Sequence, residues 1–144
     1  MINNILTVCV GNICRSPMAE VLLKAKLPSA SVSSAGIGAL IGHQADPYAQ
    51  ELMKGIGLDL SDHRAQQINA QMCQRAEIIL VMEEKHRAFI LDHYPFIQGR
   101  IFRICEHDRI DVPDPYRQPK SYFEAALELI SSGVKSWSDR IAKL

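Results

Sequence analysis

At 144 residues the chain suits a single domain spanning 1–144, a size at which roughly 68–70% of the unfolded surface is buried. Sixteen basic and sixteen acidic residues give a formal net charge of zero, so no global field draws the molecule to nucleic acid or an anionic membrane, and recognition has to be local. No apolar stretch is long enough to span a bilayer, Met1-Ile2-Asn3-Asn4 has no basic region ahead of a signal-like core, and cysteines 9, 14, 73 and 105 lack metal-ligand pairing or disulfide-scaffold density. The expectation is a reduced, cytoplasmic protein without metal or cofactor.

The first apolar run, Ile5-Leu6-Thr7-Val8, reads as a buried strand. It opens directly into Cys9-Val10-Gly11-Asn12-Ile13-Cys14-Arg15-Ser16-Pro17, after which Met18, Val21, Leu22 and Ala25 recur at helical spacing. Ser16 is a good N-cap and Pro17 suits the first helical position, so this segment joins a strand end to a helix N-terminus. Ser31 to Ala35 reads as a short strand and Gly36 to Ala45 as a loop. Asp46 caps a helix opened by Pro47, which carries Leu52, Met53 and Ile56 inward and stops at Gly57. A polar stretch follows, with Cys73 in a helix.

Ala76-Glu77-Ile78-Ile79-Leu80-Val81-Met82 is too continuously apolar for a half-exposed strand and fits a parallel sheet covered on both faces. Glu83 to His93 reads as a helix ending before Pro95, and Ile101 to Ile104 as a fourth strand. A long polar loop then carries Asp111 and Asp114. Ser121 and Glu124 make a capping box for a final helix with Phe123, Leu127, Ile130, Val134, Trp137 and Ile141 inward. Alternation of this kind gives an α/β fold, a doubly wound four-stranded parallel sheet with helices on both faces and ligands outside the strands' carboxyl ends. Cys9, Ser34 with Gly36, and Asp114 all fall at that edge.

The segment from Cys9 to Ser16 has the composition of a phosphate-binding loop with a nucleophile at its floor. Backbone N–H groups at a helix N-terminus converge on an anion, Gly11 permits tight curvature, and Asn12 tolerates the left-handed conformation such a nest requires. Thiols at such positions, next to a cation, have pKa values lowered to roughly 3.5–7.5. Arg15 adds a planar fork that grips two phosphoryl oxygens in a way lysine cannot copy. Asp111 and Asp114 are rival carboxyls for protonating a leaving group, although Asp-Pro is also an ordinary turn initiator. Cys14 could simply pack, Ser34 could be a strand-end serine, His63 a surface histidine, and Leu40 a packing residue. Cys73 and Cys105 read as structural, and His43, His86, His93 and His107 as solvated side chains without mutual metal-ligand spacing.

Together, Cys9 to Pro17 and Asp114-Pro115-Tyr116-Arg117 resemble the signature loop and general-acid motif of the low-molecular-weight protein tyrosine phosphatases, and the resemblance spans nearly the whole chain. It implies strand order 2-1-3-4 and hydrolysis of protein phosphotyrosine through a phosphocysteine, with Cys9 as nucleophile, Arg15 as clamp and Asp114 as acid and base. It also implies that Asn12, Ser34 and His63 brace the loop, that Ser16 donates to the thiolate, that Cys14 can pair with Cys9, and that Tyr116 and Leu40 wall the aryl slot. A leucine in that wall resembles the bacterial members associated with capsule and exopolysaccharide export. Their partner is an autophosphorylating membrane tyrosine kinase, whose cytoplasmic tail is then the expected substrate, with phosphate or vanadate as competing ligands. Two related activities share the loop. Thioredoxin-coupled arsenate reductases need a cysteine relay that Cys73 and Cys105 do not resemble, while protein arginine phosphatases share Cys14-Arg15-Ser16-Pro17-Met18-Ala19-Glu20 but have threonine where Ile13 stands here. An inactive phosphate-reading module would lack the nucleophile or the acid, and this chain has both.

Overall fold

The computed structural model describes residues 1–144. Its centre is a parallel sheet of β1 (Asn4–Cys9), β2 (Ser31–Gly36), β3 (Ile78–Val81) and β4 (Ile101–Arg103), hydrogen-bonded in the order β2-β1-β3-β4. β1 is central, pairing Cys9 with Gly36 on one side and Val8 with Val81 on the other. The order is the one the resemblance implies. Parallel strands need crossovers, and these are α1 (Arg15–Lys26), α2 (Pro47–Gly55), α3 (Ala70–Arg75) and α4 (Glu84–His93), with α5 (Lys120–Ala142) closing the chain.

Both faces of the sheet are covered, which is why β3, Ile78–Val81, is apolar and buried along its whole length. Ile5, Ile78 and Leu80 point to a core shared with Met18 and Leu23 of α1, Met53 of α2 and Ile130, Val134 and Trp137 of α5. The alternate residues Leu6, Val8, Ile79 and Val81 pack with Cys73 of α3 and Ile90 of α4. Close approach between layers is visible at Gly133 in α5, where a Cβ would lie 2.4 Å from the carbonyl oxygen of Ile104. A helix-weakening glycine is tolerated there because only hydrogen fits.

The helix starts depart from the sequence expectation in two places. Ser16 is not the cap of α1; the helix begins at Arg15 with Cys14 at the cap position, and Ser16 lies buried in its first turn. Its hydroxyl is used in the loop network instead. Ser121 and Glu124 form no capping box, because α5 begins at Lys120 behind Pro119, whose fixed φ and missing N–H set the start without a side-chain cap. Asp46 does cap α2, accepting from the Tyr48 N–H at 2.9 Å. Ile56 follows the end of α2 and is 54% exposed rather than inward, the turn having rotated it off the helix's buried face.

Candidate active site

Cys9 is the last residue of β1, and the loop that follows curls back on itself before α1 begins. Its carbonyl oxygens are turned outward and each is taken by a donor. Cys9 O accepts from Ile37 N, Val10 O from Gly38 N and Gly11 O from Leu40 N, all at 3.0 Å; Ile13 O accepts from Asp46 N at 2.8 Å. The remaining carbonyl, on Asn12, accepts from His63 Nε2 at 2.6 Å, which assigns the ring proton to that nitrogen. With the carbonyls held outside, the amides face in. None of the N–H groups of Gly11, Asn12, Ile13 and Cys14 donates to a backbone carbonyl, so the loop presents a nest of free donors beside the sulfur of Cys9. The reversal needs Asn12 at φ 59°, the left-handed region where asparagine is tolerated.

Asn12 is fully buried and every polar atom of its side chain is used. Nδ2 donates to Ser16 Oγ at 2.8 Å and to Ser34 Oγ at 2.9 Å, while Oδ1 accepts from Gln66 N at 2.9 Å. Because Ser16 Oγ accepts from Asn12, its own proton is free for Cys9 Sγ, 2.9 Å away. Ser34 in turn donates to Glu20 Oε1 at 2.6 Å. Asn12, Ser16, Ser34 and His63 therefore meet in one network, although Ser34 reads by itself as a strand-end serine and His63 as a surface histidine.

Arg15 is 1% exposed, which for a guanidinium demands partners. Nη1 donates to Glu83 Oε2 at 2.8 Å and to Val112 O at 2.7 Å. Nε and Nη2 are buried without a hydrogen-bond partner. These two atoms are one edge of the planar fork, the pair that grips two oxygens of a tetrahedral anion. Behind Glu83 lies His86, 2% exposed with Nε2 3.3 Å from Glu83 Oε2, so the expectation that His86 is solvated is corrected. Burial, and then the Arg15 charge, hold its pKa below the usual histidine value.

Above the loop a cleft opens, lined by Cys9, Val10, Gly11, Ile13, Cys14 and Arg15 below and by Gly38, Leu40, Asp114 and Tyr116 at the sides. Asp114 Oδ2 lies 3.6 Å from Arg15 Nη2, and its Oδ1 accepts from the Tyr116 N–H at 3.1 Å. Asp111 points elsewhere: Oδ1 takes the Glu84 N–H at 3.0 Å and Arg103 Nη1 at 3.3 Å. Of the two candidate carboxyls, only Asp114 faces the cleft. Cys14 is buried in the same wall, and burial, with Asp46, Cys9 and Asp114 nearby, raises its thiol pKa far above normal. Cys73 and Cys105 lie in the core with thiols pushed up to about 11, chiefly by burial. No cluster of three metal-ligating side chains occurs.

Glu20, Glu83 and Gln66 were not singled out from sequence. Glu83 had a usable signal, a charged residue directly after an apolar strand at the ligand-binding edge. Glu20 lies one helical turn beyond Ser16, and Gln66 acts through its backbone N–H on Asn12 and through Nε2, which donates to Ser34 O at 2.9 Å, contacts that no periodic pattern reports.

The family model for the low molecular weight phosphotyrosine protein phosphatases matches residues 4–144. The chain belongs to this family. It is 50% identical over 144 residues to the protein named "Probable low molecular weight protein-tyrosine-phosphatase EpsP" of Ralstonia nicotianae, covering 100% of this chain and 99% of that one. Among solved structures it resembles Vibrio vulnificus Wzb in complex with benzylphosphonate, with TM-score 0.94, 39% identity and coverage of 97% and 99% of the two chains. It also resembles the YwlE arginine phosphatase of Geobacillus stearothermophilus, with TM-score 0.92, 30% identity and coverage of 98% and 94%. Membership in the phosphatase family agrees with the resemblance carried by Cys9 to Pro17 and Asp114 to Arg117. No helix is long and apolar enough to cross a membrane.

Proposed function

We propose that this chain performs its family's hydrolysis of protein phosphotyrosine through a phosphocysteine formed on Cys9. The sulfur attacks phosphorus in line. Arg15 Nε and Nη2, with the inward amides of the loop, hold the equatorial oxygens as charge builds on them. Asp114 at the mouth protonates the departing phenolate oxygen, and its carboxylate then activates water to release phosphate from Cys9. The observation that carries this reading is the stacking of two environments: a buried fork with two free donors at the floor, and apolar walls of Ile13, Leu40 and Tyr116 above it. Such a slot accepts a flat ring carrying a dianion. The likeness to a Wzb that holds benzylphosphonate, an aryl group one carbon from phosphorus, supports it.

Within that activity, the physiological substrate we assign is the phosphorylated tail of a membrane tyrosine kinase of the capsule and exopolysaccharide systems, reached from the cytoplasm, with the whole of 1–144 acting as one catalytic domain. The likeness to an arginine phosphatase favours phosphoarginine as the second reading. Against it, Ile13 is 7% exposed and packs in a cluster with Phe123 beside Leu40, so the wall at Ile13 and Leu40 is apolar and Asp114 is the one carboxylate lining the cleft. Rates on phosphotyrosine, phosphoserine and phosphoarginine peptides decide the matter. Phosphotyrosine is expected to lead by a wide margin, with orthovanadate competing and activity surviving EDTA. A leading rate on phosphoarginine would replace the aryl reading.

A further inference from the structure

Leu40 sits on a loop, residues 37–43, that is held along two edges. On one edge the amides of Ile37, Gly38 and Leu40 are bonded to the phosphate loop. The intervening amide, Ala39 N, goes the other way, to Gln67 Oε1 at 2.9 Å, and Gln67 Nε2 donates to Ile37 O at 2.9 Å. Gln67 thus offers one donor and one acceptor to the loop backbone, as a neighbouring strand would. Its own backbone is fixed beside β2, because Gly36 N donates to Gln66 O at 2.9 Å and Ile68 N to Gly36 O at 3.0 Å.

We infer that Gln67 is a positioning residue for aryl discrimination, holding the backbone at Ile37 and Ala39 so that Leu40 stands over the phosphate loop as the slot's wall. The inference rests on the aryl-slot reading above. Gln67 does not line the cleft itself. Leu40 does, with Cγ and Cδ1 3.8 and 3.9 Å from where a Cβ on Gly11 would be. A small tilt at Ala39 therefore moves the adjacent wall while the phosphate loop keeps its own donors. Only an amide of this length supplies both bonds. Glutamate would set a carboxylate against the Ile37 carbonyl, and methionine would fill the space with neither bond.

The test compares Gln67→Met, Leu40→Ala and the double variant, using an aryl phosphate, a phosphotyrosine peptide and inorganic phosphate as inhibitor. For Gln67→Met the aryl KM is expected to rise about three- to tenfold, the loss of one or two modest hydrogen bonds. Its kcat and the phosphate inhibition constant should stay within about twofold, because Gln67 touches neither Arg15 nor the bonds from Ile37, Gly38 and Leu40 N–H that brace the phosphate loop. The double variant should be no worse than Leu40→Ala alone, since Gln67 acts through that side chain. Additive losses, or a parallel weakening of phosphate inhibition, overturn the inference. An unchanged aryl KM in Leu40→Ala removes both the wall and the role of Gln67, whereas a raised KM there with none in Gln67→Met removes Gln67 alone. Gln67→Glu, at the same exposed position, should fold as Gln67→Met does and shift KM in the same direction.

Discussion

Two loops face the cleft and are held in opposite ways. From Cys9 to Arg15, the carbonyls of residues 9 to 13 are each taken by an outside donor, and Asn12, Cys14 and Arg15 are buried. The loop carrying Asp114 is anchored mainly at Val112, whose N–H donates to Met82 O at 2.9 Å and whose carbonyl accepts from Arg15. Beyond it, Asp114 is 45% exposed and keeps only a local bond to Tyr116 N and a longer contact with Arg15. The difference matches what each must meet. The phosphoryl group has one geometry, so its donors are fixed beforehand and cost no reorganisation when charge develops. A leaving-group oxygen arrives on proteins of many shapes, and an exposed carboxyl with few bonds can follow it by rotating its side chain, while Pro113 and Pro115 stiffen the backbone that carries it.

The largest effects should come from the rigid side. Cys9→Ser is expected to abolish turnover while leaving phosphate bound, because the amides and Arg15 remain and only the nucleophile is lost. Arg15→Lys should be nearly as damaging, since a point charge cannot replace the fork formed by Nε and Nη2. Phosphate binding followed by NMR or calorimetry, set beside aryl phosphate turnover, checks both. Retained turnover in either variant would dissolve the distinction between the two loops.

On the adaptable side, Asp114→Asn should cost about 10²–10⁴-fold on a phosphotyrosine peptide and much less on 4-nitrophenyl phosphate, whose leaving group departs without a proton. Asp111→Asn should leave that ratio alone, because Asp111 is committed to Arg103 and the start of α4. Equal losses on both substrates for Asp114→Asn would take the acid role away from it.

How much of this was legible follows from the range of the interactions. The phosphate loop was readable because its chemistry and its geometry are local: Cys9, Gly11, Asn12 and Arg15 lie in one short segment between a strand and a helix. The sheet was readable for a similar reason, since the short, continuously apolar run from Ile78 to Val81 fits a strand covered on both faces. Supports that arrive from elsewhere were not. Ser34 is 22 residues from Asn12 and His63 is 51, and neither carries a periodic signal, so resemblance alone pointed to them. Glu83 and Gln66 were missed because one serves as a counter-ion to an arginine 68 residues away and the other meets Asn12 and Ser34 only once the chain has folded. Ser16 and Ser121 failed as caps for a physical reason: cap patterns note a hydroxyl near a helix start but not a competing use or a nearby proline.

Behind the rigid loop, Gly36 gives an intermediate test. A Cβ there would lie 2.3 Å from Val10 O and 3.1 Å from Asn12 N, so Gly36→Ala must push the loop forward or bend β2. Overpacking of this kind costs roughly 1–3 kcal/mol. The expected outcome is a fold retained by circular dichroism, a lower Tm, and kcat reduced about tenfold or more while the Asp114-dependent substrate ratio is kept. An unchanged kcat would mean that the loop adjusts freely and that its bracing is not what fixes the donors.

The smallest effect on resting activity is expected from Cys14, which shares the cleft wall with Cys9. Peroxide entering the cleft that Cys9 lines can oxidise its sulfur to sulfenic acid, and a neighbouring thiol can displace water from that sulfur to form a disulfide before irreversible oxidation proceeds. The bond requires Cα atoms within roughly 7 Å, which the tight curl at Asn12 favours. Cys14 attacks only as its thiolate, and burial keeps it protonated. Its share of thiolate therefore grows about tenfold for each pH unit in the neutral range, so protection should improve as pH rises from about 6 to 8. Cys14→Ser is expected to keep most of its activity, lose rescue by dithiothreitol after mild peroxide, and show no such rise with pH. Recovery equal to the wild type at every pH would leave Cys14 as a packing residue and return the whole oxidative chemistry of the cleft to Cys9.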